Sequence, residues 1–304
     1  MLPKVDIIIL NYNGYKDTIE CIKSLQDITY NNIDIIIIDN NSTDNSEYEI
    51  KKFISKSNNI QYIQSGKNIG FSGGNNIGIK LSLEKKSDYI CLLNNDTVVE
   101  PDFLEPLIDI MEKDKSIGVT SGKIMYYDEP TKIWCAGGYI DEIKACGYHY
   151  GRDEIDNGKF DNNREVTDLP GCLQLIRAEV FEKIGLYEEK YFLYMEDTDF
   201  CYRVNKAGYK LIYVSSSKIY HKVSSSTGGQ NSPTHLYYMA RNRLLFNKVM
   251  KLSLIKNIQF YIFYLLRLTI EPLRRREKFK YVLTGIIDGL KEESGQKLIN
   301  NKSI

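Results

Sequence analysis

The chain has no excess of charge of either sign: 40 lysines and arginines balance 40 aspartates and glutamates over 304 residues. A molecule without a global field does not recruit nucleic acid, and no nucleic-acid partner is expected. It has no C-x-x-C pair. Cys21, Cys91, Cys135, Cys146, Cys172 and Cys201 are scattered, most of them beside apolar residues, as reduced core thiols of a cytosolic protein are. No signal peptide opens it, because the first apolar run, residues 5–10, carries Asp6 and is too short for an h-region. No uninterrupted apolar stretch is long enough to span a bilayer. Internal repeats and low-complexity linkers are missing as well. The expectation is a cytoplasmic protein, and 42% hydrophobic residues are ample for one large core with or without an appendage.

Two nucleotide-binding signatures are also missing. The first loop, Asn11-Tyr12-Asn13-Gly14, is not G-x-G-x-x-G, so the backbone does not approach a pyrophosphate as in a dinucleotide-binding fold. There is no P-loop. The glycine-rich, Arg- and Lys-bearing loop expected after strand one of a sugar nucleotidyltransferase is absent too, which counts against that activity.

What is present is a rhythm of buried strands and helices. Val5-Asp6-Ile7-Ile8-Ile9-Leu10 is a β-branched run, and Ile19, Ile22 and Leu25 then recur on one helical face. Ile35-Ile36-Ile37-Ile38 is apolar on both faces, as a buried parallel strand is. A weaker strand at residues 60–63 leads into a Gly/Asn-rich loop and a helix over about 74–85. Tyr89-Ile90-Cys91-Leu92-Leu93 is a further buried strand. This alternation predicts a doubly wound, mostly parallel α/β sheet. Short strands with polar loops over 116–175, and a polar excursion at 151–164, predict a mixed-sheet half added to it. A helix with a basic edge, Arg241 and Arg243, is expected over 234–247, and one or two more helices from Leu252 onward.

Ligands of such sheets bind outside the carboxyl ends of the strands, where this chain carries Asn11, Asn13, Asp39, Asn41 and Asp96. Asp39 suits the imide N–H of uracil or thymine; the plainer alternative is a helix N-cap. Asn94-Asn95-Asp96 suits a hard cation through Asp96 and ribose through Asn94, or else an ordinary β-turn. Glu196-Asp197-Thr198-Asp199 puts three carboxylates into an apolar, aromatic run, which fits a general base or metal site, or the acidic first turn of a helix. His221, one of three histidines, is a candidate metal ligand placed just before a Ser/Thr/Gly loop at 224–229.

Taken in order, the first strand with its Asn11-Tyr12-Asn13-Gly14 loop, Asp39-Asn40-Asn41-Ser42-Thr43-Asp44, Asn68-Ile69-Gly70-Phe71-Ser72-Gly73-Gly74-Asn75-Asn76, Leu93-Asn94-Asn95-Asp96, Met195-Glu196-Asp197-Thr198-Asp199 and His221 closely resemble family 2 glycosyltransferases of the GT-A fold. The nearest look is to rhamnosyltransferase-like members that build bacterial surface polysaccharides. The resemblance spans about residues 5–221. It implies that Asp39 recognises the base, that Asp96 and His221 hold a divalent cation, Mg²⁺ or Mn²⁺, and that Asp197 is the catalytic base. It further implies substrate contacts from Asn11, Asn13, Asp39, Asn41, Gly70, Asn75, Asn94, Asn95 and Glu196. One departure is Asn94, where many members carry Asp, so the cation has one carboxylate fewer. The implied reaction is transfer of a sugar with inversion from a UDP- or dTDP-sugar to a saccharide or lipid-linked acceptor. A catalytically inactive nucleotide-sugar-binding or scaffold protein on the same fold is the alternative, against which intact Asp96, Asp197 and His221 argue.

The catalytic domain is expected over 1–232 and a helical region over 233–304. Within the latter, Tyr261, Phe263 and Tyr264 precede Arg274-Arg275-Arg276. Aromatics beside a basic cluster predict either a helix lying on the inner face of an anionic cell membrane or one packed against the catalytic domain or a partner subunit.

Overall fold

The structure, a computed structural model, describes residues 2–223, 232–274 and 278–297, with the backbone alone described at 265 and 267–274. The loop at 224–229 and two of the tail's basic residues, Arg275 and Arg276, lie outside the described residues.

Strands β1 (Val5–Asn11) and β2 (Ile33–Asp39) lie side by side and parallel in a large sheet, and their isoleucines alternate between its two faces. Ile7 and Ile9 point towards helices α1 (Tyr15–Gln26) and α2 (Ser46–Ile54), while Ile8 points towards α3 (Gly70–Glu84). Helices on both faces explain why these strands are apolar at every position and not merely at every second one. Each isoleucine buried here contributes roughly 1.5–3 kcal/mol.

The chain continues through β3 (Ile60–Gln64), β4 (Tyr89–Asn94), β5 (Thr97–Val99), α4 (Glu105–Lys113), β6 (Ile117–Tyr126), β7 (Ile133–Cys135), β8 (Gly138–Asp141), β9 (Cys146–His149), β10 (Arg164–Val166), β11 (Leu173–Arg177), α5 (Ala178–Ile184), α6 (Glu196–Lys206) and β12 (Lys210–His221). The sheet order is β10-β12-β6-β11-β4-β1-β2-β3. β3, β2, β1 and β4 run parallel; β11 is antiparallel to β4 and β6, and β10 to β12. The expected architecture is therefore present: a doubly wound parallel half with a mixed half beside it. β8 and β9 form a separate hairpin. All six cysteines are buried and free, as reduced core thiols are.

Helix α3 starts at Gly70, earlier than the glycine-rich stretch predicted. Side chains of the preceding loops take its first backbone groups: Asn68 Oδ1 accepts the Gly70 N–H at 3.0 Å and Asn40 Oδ1 the Ile69 N–H at 3.1 Å. Gly74 lets this helix lie directly on β1, since a Cβ there would stand 2.3 Å from Leu10.

Three helices follow: α7 (Pro233–Met250), α8 (Leu254–Arg274) and α9 (Phe279–Leu290). Ser232 caps α7 by accepting the His235 N–H, with Pro233 in the first turn. Leu236, Ala240, Leu244 and Phe246 of α7 pack with Phe260, Tyr264, Val282 and Ile286. Tyr191, Met195 and Tyr202 join the same cluster, so the helices are anchored on the segment around α6.

Two expectations for this region are corrected. Arg241 is not on a basic edge but 1% exposed, because its guanidinium is used by backbone carbonyls. Tyr264 faces inward and donates its hydroxyl to the Ala240 carbonyl, and Phe263 is half-buried. The exposed apolar face of α8 is instead Leu254, Ile255, Ile258, Tyr261, Ile262 and Leu266, at helical spacing.

Candidate active site

The register of the sheet brings the first site residues together. Asn11 and Asp39 end neighbouring strands directly opposite one another, and Leu10 is opposite Asn94. Both Asn11 and Asp39 are fully buried. Asn11 Nδ2 donates to Asp39 Oδ2 at 2.8 Å, and the Ser42 N–H donates to Asp39 Oδ1 at 2.7 Å. Hydrogen bonds to a charged acceptor contribute roughly 1.5–3 kcal/mol each. Asp39 closes the turn after β2 and does not cap α2, which excludes its plainer reading. Asn13 Oδ1 accepts the Thr43 N–H at 2.7 Å and ties the first loop to the second. Thr18 was not singled out from the sequence, yet its hydroxyl donates to Asn11 at 2.7 Å and accepts from Asn95 at 3.0 Å. One buried threonine thus connects the ends of β1 and β4.

Not every expected residue faces this crest. Asn95 turns towards α1, Asn75 bonds back to the Phe71 carbonyl within α3, and Asn41 is exposed, with its N–H on Gln64. Gly70 adopts φ +77°, and a Cβ there would stand 2.3 Å from the Phe192 carbonyl oxygen. Asn94 is half-buried; its N–H donates to the Cys172 carbonyl and so joins the end of β4 to the start of β11.

Asp96 and His221 meet because β5 pairs with the end of β12, Thr97 lying opposite His221. His221 Nε2 stands 3.1 Å from Asp96 Oδ1, and both residues are buried. Asp96 Oδ1 nevertheless makes no hydrogen bond, and neither does His221 Nδ1. Burial opposes ionisation of Asp96, but the His221 imidazole beside it outweighs burial and holds the carboxyl below its usual range. Trp134, the only tryptophan, stands edge-on to His221 at 4.8 Å and tilted to His149 at 4.7 Å. Arg152 lies over the Trp134 ring. Burial and the charge of Arg152 push His149 down to about 3, so it stays neutral. The sequence reading passed over Trp134 and His149; their only signal was rarity.

The acidic run Glu196-Asp197-Thr198-Asp199 separates into three different environments at the start of α6. Asp199 is structural: it accepts the Tyr191 hydroxyl at 2.8 Å and pairs with Arg203 at 2.6 Å. Asp197 accepts the Gly171 N–H at 2.9 Å and the Thr198 N–H at 2.8 Å, and it retains a partly open face. Burial raises its pKa and these backbone donors oppose the rise. Glu196 is pushed well above the carboxylate range by burial and by the charge of Asp197, and its Oε2 has no hydrogen bond. A neutral Glu196 is a hydrogen-bond donor.

Asp168, also absent from the sequence reading, completes the group. It is 3% exposed, its Oδ1 has no hydrogen bond, and it lies under β9, where a Cβ on Gly147 would stand 2.0 Å from its Oδ2. Burial first, then the charge of Asp197, drives its pKa well above the carboxylate range against a hydrogen bond from Thr198. Both acids are pushed upward by burial, and the two backbone N–H donors favour the charged form at Asp197.

The segment before α6 is conformationally costly. Phe192, Tyr194 and Met195 have φ of 63°, 68° and 76°, left-handed values that cost non-glycine residues roughly 1–2 kcal/mol each. Such cost persists only where surrounding contacts over-determine the backbone.

The fold and the sequence both have known counterparts. The chain belongs to the family described as glycosyl transferase family 2, which it matches over residues 6–185. It is 27% identical over 267 residues to the low-salt glycan biosynthesis hexosyltransferase Agl10 of Haloferax volcanii, covering 86% of this chain and 80% of that one. It is 22% identical over 310 residues to the dTDP-rhamnosyl transferase RfbF of Shigella flexneri, covering 97% and 98%. In fold it is similar to the mannosyltransferase PcManGT from Pyrobaculum calidifontis, solved with GDP-Man and Mn²⁺, at a TM-score of 0.60 with 12% identity, covering 97% of this chain and 89% of that one. The GT-A architecture expected from the motifs is the architecture found.

The Asp168 carboxyl gives a signed expectation for stability. Its folded pKa lies above the unfolded value, so the fold loses stability as pH rises from about 4 through the folded pKa. Asp168→Asn mimics the protonated acid. Its stability should match the parent near pH 4 and exceed it increasingly at higher pH, by at most roughly 1.4 kcal/mol per pH unit. Thermal unfolding of both proteins across pH 4–8 checks this; a constant difference would mean that Asp168 is ionised in the fold.

Proposed function

We propose that this chain is an inverting glycosyltransferase, dependent on a divalent cation, that moves a sugar from a UDP- or dTDP-sugar to a saccharide or lipid-linked acceptor. The observation that carries this reading is Asp197: an acid with a partly open face, held by two backbone N–H groups in the same cluster as the buried Asp168. Its anchor, Gly171, adjoins Cys172, whose carbonyl receives the end of β4 just before Asp96. The relative named as a dTDP-rhamnosyl transferase makes rhamnose the first sugar to test.

Asp96 and His221 fit Mg²⁺ or Mn²⁺. Asp96 Oδ1 and His221 Nε2 lie close together with Asp96 Oδ1 unbonded, and a carboxylate oxygen with an imidazole nitrogen is a suitable donor pair. Among the described residues no group of three such ligands occurs, so diphosphate oxygens would complete the shell. When bound, the cation supplies positive charge against the departing diphosphate.

The chain's own residues account for the remaining steps. Asp39 has a lone pair left on each oxygen to accept a base imide N–H, and Asn11 and Ser42 keep it oriented. Neutral Glu196 donates to a sugar hydroxyl. Asp197 takes the proton of the acceptor hydroxyl as that oxygen attacks the anomeric carbon. The bond from that carbon to the diphosphate breaks, and its electron pair leaves with the diphosphate. One displacement inverts the configuration. Trp134 and His149 wall the cation side against water.

In this reading residues 1–232 carry the chemistry and 233–304 are a supporting helical part that rests on an anionic bilayer at the inner face of the cell membrane. The support is the exposed stripe Leu254, Ile255, Ile258, Ile262 and Leu266 with exposed Lys251, Lys256 and Lys280 nearby. No helix among the described residues is long and apolar enough to cross a membrane.

Hydrolysis and transfer assays with dTDP-rhamnose and UDP-sugars in Mn²⁺ test the enzymatic reading. Asp197→Asn should lower turnover by roughly 10²–10⁴-fold and leave UDP or dTDP binding intact; turnover at the parent rate would remove Asp197 from the mechanism. Asp96→Ala should abolish the Mn²⁺ enhancement of UDP or dTDP binding in calorimetry, whereas an unchanged enhancement would reduce Asn94-Asn95-Asp96 to a turn. In flotation, the full-length protein should bind anionic liposomes at low salt and leave them at high salt. If it ignores them at low salt, the α8 stripe is a packing surface.

A further inference from the structure

Arg241 and Asn242 of α7 stand in the helical part, outside every motif read from the sequence, yet all but one of their side-chain hydrogen bonds reach the backbone of other segments. Arg241 donates to the carbonyls of Tyr191 at 2.7 Å, Lys190 at 3.2 Å and Gly295 at 2.7 Å. Asn242 Nδ2 lies 3.1, 2.8 and 2.8 Å from the carbonyls of Tyr191, Leu193 and Tyr194. The remaining bond, from Arg241 Nε to Asn242 Oδ1 at 2.9 Å, locks the two side chains together. Gly295, just beyond α9, also donates its N–H to the Lys190 carbonyl.

The gripped segment is the left-handed one that delivers Asp197. Phe192, Tyr194 and Met195 lie within or immediately after it, and Met195 is the residue from which α6 starts. The segment also touches the donor side: the Phe71 N–H of α3 donates to the Phe192 carbonyl at 2.7 Å, and Gly70 has no room for a Cβ against it. Phe192 in turn stacks on Tyr238 of α7 at 5.5 Å, and the Arg241 guanidinium lies 4.8 Å from the Tyr238 ring centre.

A fully buried guanidinium is an expensive way to stabilise a helix, because its desolvation offsets much of what its hydrogen bonds return. It is suited to fixing one geometry. Five carbonyl contacts would not be needed to close a loop of favourable conformation; they are suited to holding one that the chain does not adopt unaided. We infer that Arg241 and Asn242 are positioning residues of the active site, which hold the Tyr191–Met195 segment in its left-handed path and thereby set Asp197 against the α3 side of the donor site. The inference rests on the reading of Asp197 as the base. It assigns the helical part a role in turnover and not only in attachment.

The experiment compares Asn242→Ala with Asn247→Ala. Asn247 donates to Asn257 inside the same helical part and touches none of the gripped segment, so it reports ordinary loss of stability. Asn242→Ala should speed amide exchange over residues 191–198 and lower kcat for dTDP-rhamnose or UDP-sugar turnover by roughly 10–10²-fold, as a misplacement of about 1 Å does. Calorimetric affinity for UDP or dTDP with Mn²⁺ should stay within about threefold, because the nucleotide end of the site is held by β1 and β2. Asn247→Ala should leave kcat and exchange of that segment unchanged. Should Asn242→Ala fail to fold, Arg241→Lys, which keeps the cation but does not span three carbonyls, is read the same way and should turn over more slowly than the parent with faster amide exchange over residues 191–198. Unchanged exchange, or faster exchange with parent-like kcat, overturns the inference. Asp197→Asn is run in parallel: if it turns over at the parent rate the base assignment fails, whereas a dead Asp197→Asn beside a fully active Asn242→Ala defeats the positioning role alone.

Discussion

A carboxylate removed from water must be met by donors or take up a proton, and the site is arranged around that constraint. Asp39 is met by Asn11 and Ser42 and Asp199 by Tyr191 and Arg203, while Asp96 faces the His221 imidazole with its Oδ1 left without a hydrogen bond. Asp197 has the Gly171 and Thr198 N–H groups. Asp168 and Glu196 lack enough donors, and both are pushed well above the carboxylate range. In the proposed reading these six acids of similar intrinsic chemistry serve as base reader, structural brace, cation ligand, catalytic base and, when protonated, two hydrogen-bond donors. The differences come from which neighbours the fold supplies.

The sheet supplies them economically. Its parallel strands end on one side, so polar residues at the ends of β1, β2 and β4 converge, and β5 draws Asp96 to His221 at the end of β12. Antiparallel β11 places Gly171 and Cys172 beside the same end and so fastens α6 to the crest. The helical part then holds the segment leading into α6, where φ is left-handed at three non-glycine residues. Precision in the site is thereby bought from the periphery.

Much of this was legible in the order of residues. Runs such as Ile35-Ile36-Ile37-Ile38 are apolar at every position, and only a strand covered on both faces tolerates that. Asn and Asp directly after such runs mark strand ends, so Asn11, Asp39 and Asp96 were located before any coordinate. The motif order then assigned the family. α3 starts at Gly70, before the predicted 74, because Asn40 of the loop after β2 and Asn68 just ahead of the helix supply its first hydrogen bonds. Tyr264 and Arg241 were assigned outward because aromatic and basic residues on a terminal helix have amphipathic spacing either way, and only packing against α7 and the Tyr191 carbonyl turns them inward.

The sequence by itself determined the class of sheet, its polar crest and the cluster of acids at the start of α6, because these depend on periodicity and on residues adjacent in the chain. Only the tertiary structure decided how the acids of the cluster differ, since Asp168 and Gly171 reach Asp197 from the segment before β11 and Tyr191 reaches Asp199 from before α6. It also decided the wall of Trp134 and His149, and the grip of Arg241 and Asn242 on a segment some fifty residues earlier. Hydrogen bonds and burial between distant segments leave no periodic trace in a chain, and those contacts are where the chemistry of this site is set.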